Sequence, residues 1–221
     1  FSADVDTASY ANIRRMINDN GGIIDTNAVR IEEMINYFDY DYEAPTDKPF
    51  SVTTEMSDCP WNKGNKLLSI GVKGKEIETE RVMSNIVFLL DVSGSMYSED
   101  KLPLMAEAFC LLAENLTEND RVSIVTYAGA DEVLLKGEQG NNYRKISEVL
   151  NSLEAGGSTN GAAGINTAYE LAEKYFIEGG NNRVILATDG DLNVGVSSVA
   201  ELKKLITEKR NSGVYLSVLG F

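Results

Sequence analysis

From residue 84 onward the spacing of apolar positions changes in kind several times. Four runs are nearly continuous: SNIVFLLD at 84–91, RVSIVTYA at 121–128, RVILAT at 183–188 and VYLSVL at 214–219. Between them apolar residues recur every three or four positions: Leu102, Met105, Phe109, Leu112 and Leu116, then Tyr143, Ile146, Leu150 and Leu153, then Ile165, Ala168, Ala172 and Tyr175, and last Val199, Leu202 and Ile206. Continuous runs suit strands buried on both faces, and the 3-to-4 spacing suits amphipathic helices. Their alternation predicts an α/β fold, a doubly wound and mostly parallel sheet with helices on both faces. The segment EVLLK at 132–136 follows the second strand after only Gly129, Ala130 and Asp131. That gap is too short for a helical crossover, so this strand should pair antiparallel at the sheet edge.

Residues 1–80 follow another pattern. Helix-period stretches at 7–17 and 28–38 precede the proline-containing loop APTDKP and two strand-like runs at 50–55 and 67–72. This predicts a smaller α+β appendage over 1–80, two helices and a strand pair, beside a main domain over 81–221. The rings of YFDYDY at 37–42 are expected to pack at the seam between the two parts. No internal repeat or low-complexity tract is present.

Composition narrows the chemistry. With 221 residues, 43% of them hydrophobic, the chain can bury a sizeable core without staples. Its 34 acidic and 20 basic residues give a net charge of −14, a field that repels nucleic acid and anionic membrane surfaces. There is no histidine, which removes Ser-His-Asp and Cys-His nucleophiles and every histidine-containing zinc site. The two cysteines, Cys59 and Cys110, are too few for a four-thiolate site; they allow one disulfide, but Cys110 on an apolar helix face reads more readily as a buried free thiol. No run approaches the roughly 20 apolar residues that span a bilayer, so no membrane insertion by this chain is expected. It opens at Phe1 with no signal peptide, as expected of a trimmed or processed chain.

The candidate chemistry lies at strand ends. Asp91 closes the first strand of the main domain and is followed by Ser93 and Ser95 in DVSGSM; Asp189, in LATDGD, closes the fourth, counting the short edge strand as third. In the common strand order 3-2-1-4-5 these two strands are neighbours, and ligands of open parallel sheets sit outside such carboxyl ends. The glycine-rich turn GGSTNGAAG at 156–164 can bring Thr159 to the same rim. Two carboxylates and three hydroxyls form an all-oxygen set suited to a hard divalent cation. Gly94, Gly157, Ser158 and Gly190 are the supporting loop residues. A D-x-S-x-S spacing alone is a weak signal; its place after an apolar strand, with the glycine-rich turn and Thr-Asp-Gly following in order, makes the conjunction strong. Structural readings compete at each position. Asp91 and Ser93 could cap the following segment, Thr159 and Asn160 the helix near Gly161, and Asp189 with Gly190 could be a plain turn. Asp191 competes with Asp189 as the acidic ligand. The triplet Asn115-Leu116-Thr117 matches a glycosylation pattern but falls at a helix end, where it reads as a surface accident.

DVSGSM, the GGST turn and ATDGD resemble the metal-ion-dependent adhesion site of von Willebrand factor type A (vWA) domains, whose fold is Rossmann-like. DVDTASYANIRR, VRIEEMINYF and CPWN resemble the N-terminal region of a bacterial subfamily, often lipoproteins of the cell envelope. The resemblance implies that Ser93, Ser95 and Thr159 bind the metal directly, and that Asp91 and Asp189 bind it directly or through water. It implies Mg²⁺, with Mn²⁺ or Ca²⁺ as substitutes, and a protein partner whose Asp or Glu completes the coordination. It also implies an extracytoplasmic location at the bacterial cell envelope or surface, and a further strand and helix after the last strand seen here.

Three functional readings follow. The first is a non-catalytic, metal-dependent protein-binding module. The second is a Mg²⁺-dependent phosphohydrolase-like enzyme, for which Ser93 stands where a D-x-D motif needs its second acid. The third is a scaffold with a vestigial metal site. No Gly-Lys-Ser/Thr phosphate loop and no G-x-S-x-G elbow accompanies the site.

Overall fold

The computed structural model describes residues 5–19, 21–75, 81–157, 161–190 and 199–220. Two units divide the chain, Phe1–Glu78 and Thr79–Phe221.

In the first unit, α1 (Ala8–Asp19) and α2 (Ile31–Asn36) precede the antiparallel pair β1 (Phe50–Asp58) and β2 (Lys66–Gly74). The helix expected over 28–38 is shorter than its apolar spacing suggests. Asp25 accepts a hydrogen bond from the Asn27 amide at 2.9 Å and caps a 3₁₀ turn over Thr26–Ala28, after which Val29 and Arg30 are extended. A side chain that satisfies the backbone locally competes with helix formation, as Asp does here. Buried Ser9 joins the two helical segments: its amide donates to Glu33, its hydroxyl donates to the Ala28 carbonyl, and the Arg30 amide donates to that hydroxyl. Rings of 37–42, partly exposed, make contacts within this unit. Tyr37 stacks on Tyr10 with centroids 4.0 Å apart, and Tyr42 lies over Gly71, where a Cβ would meet the ring at 2.3 Å.

The second unit runs β3 (Ser84–Asp91), α3 (Leu102–Ala113), β4 (Arg121–Tyr127), β5 (Asp131–Gln139), α4 (Tyr143–Asn151), α5 (Gly161–Lys174), β6 (Asn181–Thr188), α6 (Val199–Lys209) and β7 (Tyr215–Gly220). The sheet order is β5-β4-β3-β6-β7, with β4/β3, β3/β6 and β6/β7 parallel and β4/β5 antiparallel. Numbered within the unit this is the expected 3-2-1-4-5. The edge strand is longer than EVLLK because its ladder with β4 continues through register irregularities beside Ile124. Gly137 within it takes φ +54°, a conformation that favours glycine.

Central β3 explains its own uninterrupted apolar run. Ile86, Phe88 and Leu90 face Met105 and Phe109 of α3 and Ile146 and Leu150 of α4, whereas Val87 and Leu89 face Ile165, Ala168 and Ala172 of α5. Both faces are covered, so a polar side chain in the strand calls for buried partners: the Asn85 amide donates to the Ala172 carbonyl at 2.8 Å and to Asn182 at 3.2 Å. The side chains of Val199 and Leu202 lie outside the described residues, and Leu116 falls beyond the end of α3. Both cysteines are buried and free. Burial, with Glu114 and Glu107 adding to it, pushes the Cys110 thiol above its ordinary value, which keeps it unreactive.

Asp120 ties the start of β3 to the start of β4. Its side chain is 1% exposed; one oxygen accepts from the Ser84 amide at 2.7 Å and the other from the Thr117 amide, the Thr117 hydroxyl and Arg81 at 2.6, 2.8 and 2.8 Å. Burial alone would raise its pKa, but these hydrogen bonds and the Arg81 charge outweigh burial and hold the carboxyl below its usual range. We predict that Asp120→Asn costs about 3 kcal/mol at pH 7, because one changed oxygen leaves several donors unsatisfied. The folded pKa is lowered, so this stabilisation is complete above about pH 4 and is lost as pH falls through the folded value. Urea melts at pH 7 and pH 3 should therefore show a large gap between wild type and variant at the first pH and a smaller one at the second.

Candidate functional site

Asp91, the last residue of β3, is 0% exposed. One carboxylate oxygen accepts from the Ser93 amide at 2.9 Å; the other accepts from the Tyr127 hydroxyl at 3.2 Å and the Thr188 hydroxyl at 3.1 Å. Tyr127 ends β4 and Thr188 ends β6. Three adjacent parallel strands thus meet through their final residues on one carboxylate. Burial pushes the Tyr127 phenol far above its ordinary value, so it stays protonated and serves as a donor.

Beyond Asp91 the Val92 amide extends the ladder to the Tyr127 carbonyl at 3.1 Å, and the chain then leaves the sheet in a 3₁₀ turn over Gly94–Tyr97. The Asp91–Ser93 hydrogen bond sets this departure, a side-chain-to-backbone turn typical of aspartate. Ser93 is buried and Ser95 exposed, with their hydroxyl oxygens 3.1 Å apart. The glycine-rich turn is stitched to this loop: the Gly156 amide donates to the Val92 carbonyl at 2.8 Å and the Gly94 amide to the Gly157 carbonyl at 3.2 Å. Gly157 takes φ +81°, which a side chain would strain. Asp189 follows β6 directly, its side chain 6% exposed. The Gly190 amide donates back to the Thr188 hydroxyl at 3.2 Å. Lys101, just before α3, places its ammonium 2.9 Å from Asp189 Oδ2 and 3.0 Å from the Ser95 carbonyl.

The structure therefore brings Asp91, Ser93, Ser95 and Asp189 to one rim, with Gly94, Gly157 and Gly190 in the turns around them. Ser158, Thr159, Asn160 and Asp191 lie outside the described residues. Among the described residues no three His, Cys, Asp or Glu side chains cluster as a metal site; at this rim only two carboxylates meet, and hydroxyls supply the other oxygens. The donor set suits a hard cation. Adjacent ligands of an octahedral Mg²⁺ at about 2.1 Å lie about 3 Å apart, close to the separation of the two serine hydroxyls. An ammonium already neutralises the Asp189 corner.

Three participants were not singled out from the sequence. Tyr127 and Thr188 were detectable, since each ends a strand beside Asp91 and the strand-end rule applies to them equally. Lys101 carries a weaker signal, a lone cation six residues after Ser95 in an acidic rim.

Comparison with known proteins bears on the family and the fold. Residues 85–221 match the von Willebrand factor type A domain, and residues 1–69 match a family described as von Willebrand factor. The uncharacterized protein YfbK of Escherichia coli (strain K12) is 43% identical over 229 residues, covering 100% of this chain and 40% of that protein. Human inter-alpha-trypsin inhibitor heavy chain H3 is 29% identical over 151 residues, covering 63% of this chain and 16% of that one. This chain thus spans less than half the length of either relative. Among solved structures, a von Willebrand factor type A protein from Catenulispora acidiphila has a TM-score of 0.54 at 16% identity, covering 83% of this chain and 42% of that one. BatB from Bacteroides thetaiotaomicron has a TM-score of 0.52 at 23% identity, covering 62% and 66%. These structures share the fold. With the type A domain matching more than half its length, the chain belongs to the von Willebrand factor type A domain family.

Proposed function

We propose that the Thr79–Phe221 unit is a non-catalytic, metal-dependent protein-binding module with a metal-ion-dependent adhesion site at the β3/β6 strand ends. The observation that carries this reading is the convergence of Asp91, Ser93, Ser95 and Asp189 at the point where the strand order reverses. Ser93, Ser95 and Thr159 would hold the ion directly and Asp91 and Asp189 directly or through water, the ion being Mg²⁺ with Mn²⁺ or Ca²⁺ as substitutes. Bound there, the ion would supply a Lewis-acidic position for an anionic oxygen. The partner would present an Asp or Glu carboxylate to it, and the net charge of −14 argues against nucleic acid as that partner.

The same geometry disfavours an enzyme. A nucleophilic aspartate needs an unengaged oxygen facing substrate, and both oxygens of buried Asp91 already accept from donors. Tyr127 is buried and held as a donor, which leaves no proton shuttle beside Ser93. An extracytoplasmic location at the cell envelope belongs to this proposal. Among the described residues no helix is long and apolar enough to cross a membrane.

Two carboxylates balance one divalent ion, so ion affinity without a partner should be weak, on the order of 10⁻⁴–10⁻³ M as in extracellular oxygen-ligand sites. Calorimetric titration with Mg²⁺ and Mn²⁺ should show binding in that range for the wild type and none for Ser93→Ala combined with Thr159→Ala, with both proteins folded. Absence of heat with the wild type would point to a scaffold with a vestigial site. In a pull-down from native cell envelope, capture of the partner should require Mg²⁺ and be lost in EDTA and with Asp189→Ala. Capture insensitive to EDTA contradicts the proposal, and EDTA-sensitive turnover of a generic phosphate ester would favour the enzyme.

A further inference from the structure

We propose that Lys101 is a tethered cation that occupies the Asp189 corner of the site in place of the metal ion and competes with it. The inference rests on the metal reading above and adds a residue and a direction of effect to it.

Lys101 is the residue before the first turn of α3, a position at which its side chain makes no cap. A cation there opposes the helix dipole, so helix stability does not explain the choice. Its ammonium instead reaches into the rim and donates to Asp189 Oδ2 at 2.9 Å and to the Ser95 carbonyl at 3.0 Å. One of those oxygens belongs to a candidate ligand and the other to the backbone of Ser95, itself a candidate ligand. The Lys101 side chain is 28% exposed and that of Asp189 6%, so the pair is largely shielded from water and is screened less than a surface ion pair.

The charges define the competition. Asp91 and Asp189 bring two negative charges to the rim, and Lys101 cancels one of them. A divalent ion bonded to the same Asp189 carboxylate while the ammonium stayed in place would put three positive charges against two negative ones within a few ångströms. Metal binding at Asp189 must therefore expel the ammonium, which lowers affinity. The ammonium in turn keeps the Asp189 carboxylate neutralised near Asp91 when no ion is bound.

Mg²⁺ and Mn²⁺ titrations of wild type, Lys101→Met and Lys101→Gln, each with a melting curve to establish folding, test the idea. Both variants should bind the ions about tenfold more tightly than wild type, the effect of removing one charged hydrogen bond. Unchanged or weaker binding in the variants, with wild type still binding, overturns this proposal alone and makes Lys101 a positioning residue for Asp189. No binding by any of the three proteins overturns the metal reading and this one with it. A second measurement needs no variant: mass-spectrometric footprinting with an amine-acetylating reagent should show Lys101 modification rising on addition of Mg²⁺ relative to Lys145 and Lys174. Unchanged or reduced modification contradicts the competition.

Discussion

The buried carboxylate of Asp91 is the constraint on which the rest of the second unit turns. A charged group without solvent exposure costs several kcal/mol unless donors replace its water, and three donors surround this one: the Ser93 amide and the Tyr127 and Thr188 hydroxyls. They come from the loop after β3 and from the last residues of β4 and β6. All three arrive only if these parallel strands keep their register. A slip by one residue would turn Tyr127 or Thr188 to the opposite face of the sheet and strand the charge. Core packing and site geometry are therefore two aspects of one register, enforced by Phe88 and Leu90 on one face and Val87 and Leu89 on the other.

With Asp91 fixed, the loop that follows has little freedom. The Asp91–Ser93 turn brings the Ser93 and Ser95 hydroxyls together, and the bonds from Gly156 to Val92 and from Gly94 to Gly157 clamp the glycine-rich turn against them. The Thr188 hydroxyl donates to Asp91 and accepts from Gly190, so the chain bends directly after Asp189. Asp91 orders the site from beneath, Ser93 and Asp189 are largely shielded, and Ser95 meets the outside. This division of labour suits a binding module, whose acidic groups must stay ionised and in place, better than a catalyst whose groups exchange protons.

Much of this was legible in the sequence because buried parallel strands and amphipathic helices leave different periods, and the short gap before Glu132 left the edge strand only an antiparallel place. Asp91 and Asp189 were legible for the same reason: a charged residue ending an apolar run in such a sheet stands at the ligand-binding edge. What the pattern could not carry was local competition and long-range pairing. The Asp25 turn shortens α2 although the apolar spacing continues. The β4/β5 ladder outruns EVLLK because its irregular register is set by pairing, not by apolar spacing. The rings of 37–42 found partners at Tyr10 and Gly71, a tertiary choice invisible in their own composition. Nothing in the local pattern marks the meeting of the Tyr127 hydroxyl with Asp91 or of the Lys101 ammonium with Asp189. Thr159, which the sequence nominates beside them, lies outside the described residues.

Diffraction from crystals soaked in Mn²⁺, with data collected at the manganese absorption edge, tests the central claim most directly. The account predicts a single strong anomalous peak at the β3/β6 strand ends, within bonding distance of the Ser93 and Ser95 hydroxyls and facing solvent on one side. A map without such a peak at saturating Mn²⁺, or with the ion held elsewhere on the acidic surface, would contradict it.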